Sequence, residues 1–296
     1  MKVVKPIAIT GAVLLSSTAT ETYAEYNPAT TYALGDKATL ASTGKLYETI
    51  QAPNLAHAPD VSPLWWTAAG PSNKQAMFDT ELSTQTAQAS PLTTVLKPGY
   101  VNSLALFGLE GDTLAVTVRD ALAGAVVYSK TISLDGTIIA DWYQYFFEPN
   151  VQLGEVVLTD LPPYGDAHIT VALSGSGTVK CGQLTLGTAY ALGGTQYGAN
   201  AGIIDYSRKD TSATGATTFV RRRFSKRMSA SLMLDTAQIN KVQRVLADLR
   251  ATPCAWIGSD VAGYEPLTLF GFYRDFSLEV AYPTQSLCTL EIEGLA

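Results

Sequence analysis

Cysteine, histidine and charge are all scarce in this chain. The three cysteines, Cys181, Cys254 and Cys288, lie far apart and show no C-x-x-C spacing. That pattern argues against a zinc site and for buried, reduced thiols. The two histidines, His57 and His168, fall in a Pro-rich loop and at a strand start, with no evident partner for either. There is no G-x-S-x-G elbow, H-E-x-x-H pair, Walker loop or dinucleotide fingerprint. No catalytic residue, metal or cofactor is therefore assigned. Charged residues make up 16% of the chain, against about a quarter in soluble domains. A surface so poor in charge suits a chain that buries much of itself against neighbours. The net charge of −6 gives no whole-chain attraction to nucleic acid or to an anionic bilayer. No apolar run approaches the ~20 residues of a membrane helix, so membrane insertion is not expected.

What is present is β-structure. The 296 residues predict about two domains, and 47% hydrophobic residues are ample for a core. Short strands separated by Gly and Pro turns are expected over 92–96, 101–109, 126–132, 156–158, 169–173 and 179–186. Leu114, Val116 and Val118 alternate with small or polar residues, the period of a half-buried strand. The aromatic run 142–147 is also read as a strand. Residues 80–190 thus predict a jelly-roll-like β-sandwich. A glycine-rich stretch from Gly187 to Gly198 marks the boundary to residues 191–296. There, strands are expected to flank one helix. Asp235 and Gln238 have capping-box spacing, Ile239, Val242, Leu246 and Leu249 share a helical face, and Pro253 sets the end. The fold class is mainly β: a small aromatic β module, a sandwich, and a C-terminal β domain with one α-helix.

The first 25 residues admit two readings. Met1 to Lys5 followed by the apolar stretch 7–15 has the shape of a secretory leader, with Thr22-Tyr23-Ala24 at the cleavage position. Pro6 and Thr10 interrupt that stretch, and the reading adopted is an ordered N-terminal arm laid along a neighbour.

Residues 26–79 are read as a small aromatic module and linker, on which the functional reading turns. Tyr26, Tyr32, Tyr47, Trp65 and Trp66 recur at intervals that neither a helix nor a plain strand pair explains. Flat aromatic faces stack on the CH faces of sugar rings. In a strand, Trp65 and Trp66 point to opposite faces, so at most one belongs to the core. The alternative is that these rings are the core of a unit too short to build another. A second cluster, Arg221, Arg222, Arg223, Lys226 and Arg227, stands out in an acidic chain. It reads as a salt-bridged subunit interface or a solvated face ahead of a nucleic-acid patch. Asp141 and Glu148 flank the aromatic run and read as surface acids, although glycosidase acids need not be close in sequence.

Tyr32-Ala-Leu-Gly35-Asp36, Leu46-Tyr47-Glu48 and Trp65-Trp66 together resemble the chitin-binding type of carbohydrate-binding module, departing from it at Tyr26, where that family usually carries Trp. The wider arrangement resembles tail proteins of long-tailed bacteriophages. It rests on Ile9-Thr10, Leu14-Leu15-Ser16-Ser17, Gly70-Pro71-Ser72-Asn73 and Met77-Phe78-Asp79. The resemblance implies a virion protein of the tail tip or baseplate, assembled in the host cytoplasm and set in a ring around the tail axis. Its partners would be other tail proteins and copies of itself, with host surface glycan as a further ligand. A secreted or surface lectin is the alternative, and a glycan-cleaving enzyme ranks third.

Overall fold

The computed structural model describes residues 1–137, 139–149, 151–212, 214–261, 263–280 and 282–295. The fold is mainly β and its organising element is one curled antiparallel sheet. Its strands run in the order Glu155–Leu158, Ser103–Phe107, Gln183–Ala191, Lys2–Pro6, Cys254–Ile257, Thr268–Glu279, Gln285–Gly294 and Phe224–Asp235. Gly194–Thr195 and Asn200–Asp205 both pair with Phe224–Asp235 at the far edge.

Period-2 alternation divides the cores of this sheet. Leu104 and Leu106 point to one face, where a second sheet covers them. That sheet contains Val126–Ser133, Thr113–Arg119, His168–Ser174, Leu92–Leu96 and Leu14–Ser17. The two sheets form the sandwich, and Leu114, Val116 and Val118 are buried in it as their spacing predicts. Farther along the same face, Trp256, Leu290 and Ile292 are covered by the helix Ile239–Asp248. The opposite face carries Val4, Ala105, Phe107, Ala255, Ile257 and Phe270 inside the curl. Ser103–Phe107 and Cys254–Ile257 are buried on both faces, which explains their unbroken runs of apolar or small residues.

The expected N-terminal arm contributes strands to this fold, a correction to its reading as an arm laid along a neighbour for Lys2–Pro6 and Leu14–Ser17. Lys2–Pro6 pairs with Gln183–Ala191 on one side and Cys254–Ile257 on the other. Val3 and Val4 are fully buried on opposite faces of the sheet. A Cβ on Gly187 would stand 1.9 Å from the Lys5 carbonyl oxygen, so glycine is what permits this approach. Leu14–Ser17 then crosses to the edge of the second sheet beside Leu92–Leu96. Val3 and Val4 are adjacent and β-branched, so on a strand they fill opposite faces of the sheet.

Two local expectations are corrected. Trp142–Phe147 is a six-residue helix and not a strand. The Asp141 carboxylate caps it by accepting from the Gln144 amide at 2.8 Å, and the segment pairs with no strand among the described residues. β-propensity of aromatics is a packing preference, and without a sheet to pack on it loses to local capping. At the C-terminal helix, Asp235 makes no side-chain cap; a 3₁₀ turn, Thr236–Gln238, leads in instead. Val242, Leu246 and Leu249 are buried on the sheet as their spacing predicts, and the Tyr273 hydroxyl donates to the Leu246 carbonyl at 2.9 Å.

Candidate functional site

The aromatic module is built on a three-stranded sheet, Lys37–Leu40, Lys45–Thr49 and Trp66–Pro71, with the short pair Thr31–Tyr32 and Asn54–Leu55 beside it. The turn signal at Leu34-Gly35-Asp36 works through Gly35, at φ +85°, and through the Asp36 carboxylate, which accepts from the Ala33 amide at 2.7 Å.

The structure brings the five singled-out aromatics together, Tyr32, Tyr47 and Trp66 buried and Tyr26 and Trp65 partly buried against them. Tyr26 stacks on Tyr32 at 5.8 Å, and Trp66 meets both edge-on, at 5.9 Å and 5.0 Å. Trp66 is 2% exposed and its indole N–H donates to the His57 carbonyl at 2.8 Å. Tyr47 is buried in the same cluster. These rings therefore serve as the core of the module. Burial pushes the Tyr26 phenol up, Tyr32 beside it adding to the effect, and its hydroxyl has no hydrogen-bond partner among the described residues.

Trp65 differs from its neighbour. It is half-buried and stacks on the His57 ring at 4.0 Å with only 12° between planes. His57, which the sequence leaves without a partner, is fixed on its other side by Asn54, Nδ1 to Oδ1 at 3.1 Å. Leu64 is exposed next to it in the chain, and Ile50, also exposed, donates its amide to the Trp65 carbonyl at 2.9 Å. This end of the module presents a flat ring, apolar neighbours and adjacent backbone, an arrangement able to take the face of a sugar or an apolar patch of a protein.

The segment from Gly70 to Asp79 is a joint between the module and the sandwich. The Glu21 carboxylate accepts from the Ser72 hydroxyl and the Asn73 amide, both at 2.9 Å. The Asn73 side chain donates to the carbonyls of Thr20 and Ala87 at 2.7 Å and 2.8 Å, and accepts from the Ala87 amide at 3.0 Å. Met77 is buried in the sandwich core, and its amide donates to the Thr86 hydroxyl at 3.0 Å. No spacing rule announces this network.

Arg221, Arg222 and Arg223 lie on a projecting hairpin, with Lys226 at its root and Arg227 beyond it in the large sheet, between Gly202 and Glu293. Asn200–Asp205 pairs with Phe224–Asp235 below, and Arg208–Thr211 with Thr217–Val220 above. Lys226 pairs with Glu155, whose carboxyl burial pushes up while Lys226 pulls it back. The other arginines of the cluster are exposed.

Elsewhere, His168 is buried with Nδ1 3.0 Å from the Asp166 carbonyl, a structural contact. Asp141 caps its helix, as above, and Glu148 closes it through its amide. The thiols are buried, with Cys181 and Cys254 pushed up to about 12 and Cys288 to about 11 by desolvation. Among the described residues no group of three His, Cys, Asp or Glu could hold a metal ion, and no helix is long and apolar enough to cross a membrane. No protein-family model matches the chain, and no curated protein matches it.

Proposed function

We propose that this chain is a structural subunit of the tail tip or baseplate of a long-tailed bacteriophage, set in a ring around the tail axis, with residues 26–69 as a docking unit. The observation that carries the reading is the joint. Segments 70–73 and 77–79, which prompted the resemblance to tail proteins, hold the module to the sandwich through Glu21, Asn73 and the buried Met77. A module clamped in this way presents its face at a fixed angle, which a shell subunit requires and a tethered lectin does not. Immunogold electron microscopy with an antibody to this chain tests it on phage particles and on cells. Label at the distal end of tails is the expected result. Label only on cells or in the medium would reject the virion reading in favour of a secreted lectin.

The Trp65–His57 platform supports a second role, contact with a glycan. Calorimetry of the full chain with chitin oligosaccharides should show binding that Trp65→Ala removes; no heat from the parent chain would end this reading.

A further inference from the structure

We infer that this chain associates with a second copy of itself, the aromatic helix Trp142–Phe147 of one copy seating on the basic hairpin of the other. The inference stands on exposure and charge and does not depend on the tail-tip reading.

The helix is an uncovered apolar surface. Trp142, Tyr143, Tyr145, Phe146 and Phe147 are 59–78% exposed, and none of its residues is buried. The rings stack on one another, Trp142 on Phe146 at 6.2 Å and Tyr143 against Phe147 at 5.2 Å. Six residues are too few to hold a helix in water without tertiary support. At about 200 Å² per aromatic side chain, roughly two-thirds open, the patch offers about 650 Å². That is near the ~800 Å² which each partner contributes to a standard interface, and more than a lone monomer usually leaves uncovered.

Charge selects the occupant. Between positions 131 and 179 the chain has six Asp or Glu and no Lys or Arg. Residues 200–227 hold seven Lys or Arg against two Asp, while the remainder of the chain holds 13 against 24. The hairpin is thus a positive arm on a negative body. Arg221, Arg222 and Arg223 are exposed and form no salt bridge among the described residues. Ile203, Phe219 and Phe224 are exposed on the same hairpin and supply an apolar centre. Each surface therefore offers apolar area with charge of the sign the other lacks, and guanidinium groups stack well on Trp and Tyr faces.

Within one copy the two surfaces do not satisfy each other. Their roots lie side by side, joined by the Lys226–Glu155 pair, with a cleft of ≈490 Å³ lined by Leu153, Ile203 and Pro266 between them. Both the rings and the arginines nevertheless remain exposed. An anionic bilayer is disfavoured, because Asp135, Asp141 and Glu148 border the rings with no cation nearby in sequence. A second copy meets both surfaces at once.

Sedimentation velocity on the full chain tests this, with two variants, Trp142→Ser/Phe146→Ser and Arg221→Glu/Arg222→Glu/Arg223→Glu. The parent should sediment above the 31.5-kDa chain mass. Its association should weaken severalfold as salt rises from about 0.1 M to about 1 M, which shortens the screening length from about 10 Å to about 3 Å. Each variant alone should be monomeric with the parent's circular dichroism. An equimolar mixture of the two should form a species of twice the chain mass, since one intact helix meets one intact hairpin. Should the helix variant fail to fold, the charge reversal, confined to an exposed hairpin, decides alone. A monomeric parent, variants that stay associated, or a mixture that stays monomeric overturns the inference. So does helix-dependent binding of a monomer to phosphatidylcholine vesicles.

Discussion

Replacing Trp66 by Ala should unfold the aromatic module while the two large sheets stay folded. Trp66 is 2% exposed, lies edge-on to Tyr26 and Tyr32, and donates its N–H to the His57 carbonyl. Removing about 200 Å² of buried ring at about 25 cal/mol per Å² costs about 5 kcal/mol. Measured truncations of buried aromatics cluster at about 3–5 kcal/mol. A unit of about 50 residues has at most about 3–8 kcal/mol of stability. The truncation therefore removes most or all of it. Trp65→Ala is the control: it loses a half-exposed stack on His57, about 1 kcal/mol, and leaves the module folded. Hydrogen exchange on the amides of Lys45–Thr49, the central strand, reads the difference, with limited proteolysis between 26 and 71 as a second measure. Native protection of that strand in Trp66→Ala, or equal behaviour of the two variants, would refute the assignment of these rings to the core.

Deleting residues 1–17 should abolish a cooperative melt, because Lys2–Pro6 is an interior strand paired on both sides; a truncated chain with the parent's Tm would show that the sheet closes without it. Ellman's reagent at mildly alkaline pH should find no reactive thiol in the native chain and three after guanidinium unfolding, since burial keeps all three thiols protonated; rapid native labelling would contradict that burial. Burial raises the Glu155 carboxyl pKa above its ordinary value despite Lys226. The folded chain then holds a proton that the unfolded chain has released, so this contribution to stability is full at low pH. It is lost as pH rises from the ordinary glutamate range through the raised folded pKa. Urea midpoints against pH should fall across that window in the parent and flatten in Glu155→Gln; an unchanged slope in the variant would exclude Glu155 as the source.

The legible parts of this fold were those where one rule acts alone. Alternation at Leu114, Val116 and Val118 gave a half-buried strand, and Val242, Leu246 and Leu249 gave the buried face of the C-terminal helix. The segment Trp142–Phe147 departs from the same reasoning, because strand propensity presumes a sheet to pack on and its rings lie exposed without one. The place of Lys2–Pro6 was invisible for another reason. Its partners lie some 180 and 250 positions away, and no local pattern encodes which edge a short apolar segment will join. In the module the aromatics were visible as a group, but their division into a buried trio and the half-open Trp65 depends on the turn that brings the His57 carbonyl under the Trp66 indole. The joint at Asn73 rests on an amide side chain serving three backbone groups, which spacing does not announce.

The position of Lys2–Pro6 has a consequence for biosynthesis. One flanking strand is Cys254–Ile257, so Lys2–Pro6 waits for about 250 further residues before it can be paired on both sides. At about 5–20 residues per second that delay is roughly 10–50 s. Until then the amides and carbonyls of Val3 and Val4 lack partners on one side, and closure of the sheet depends on contacts between segments about 250 positions apart. Such long-range topology folds slowly. The largest sheet is therefore completed only after Cys254–Ile257 has been made.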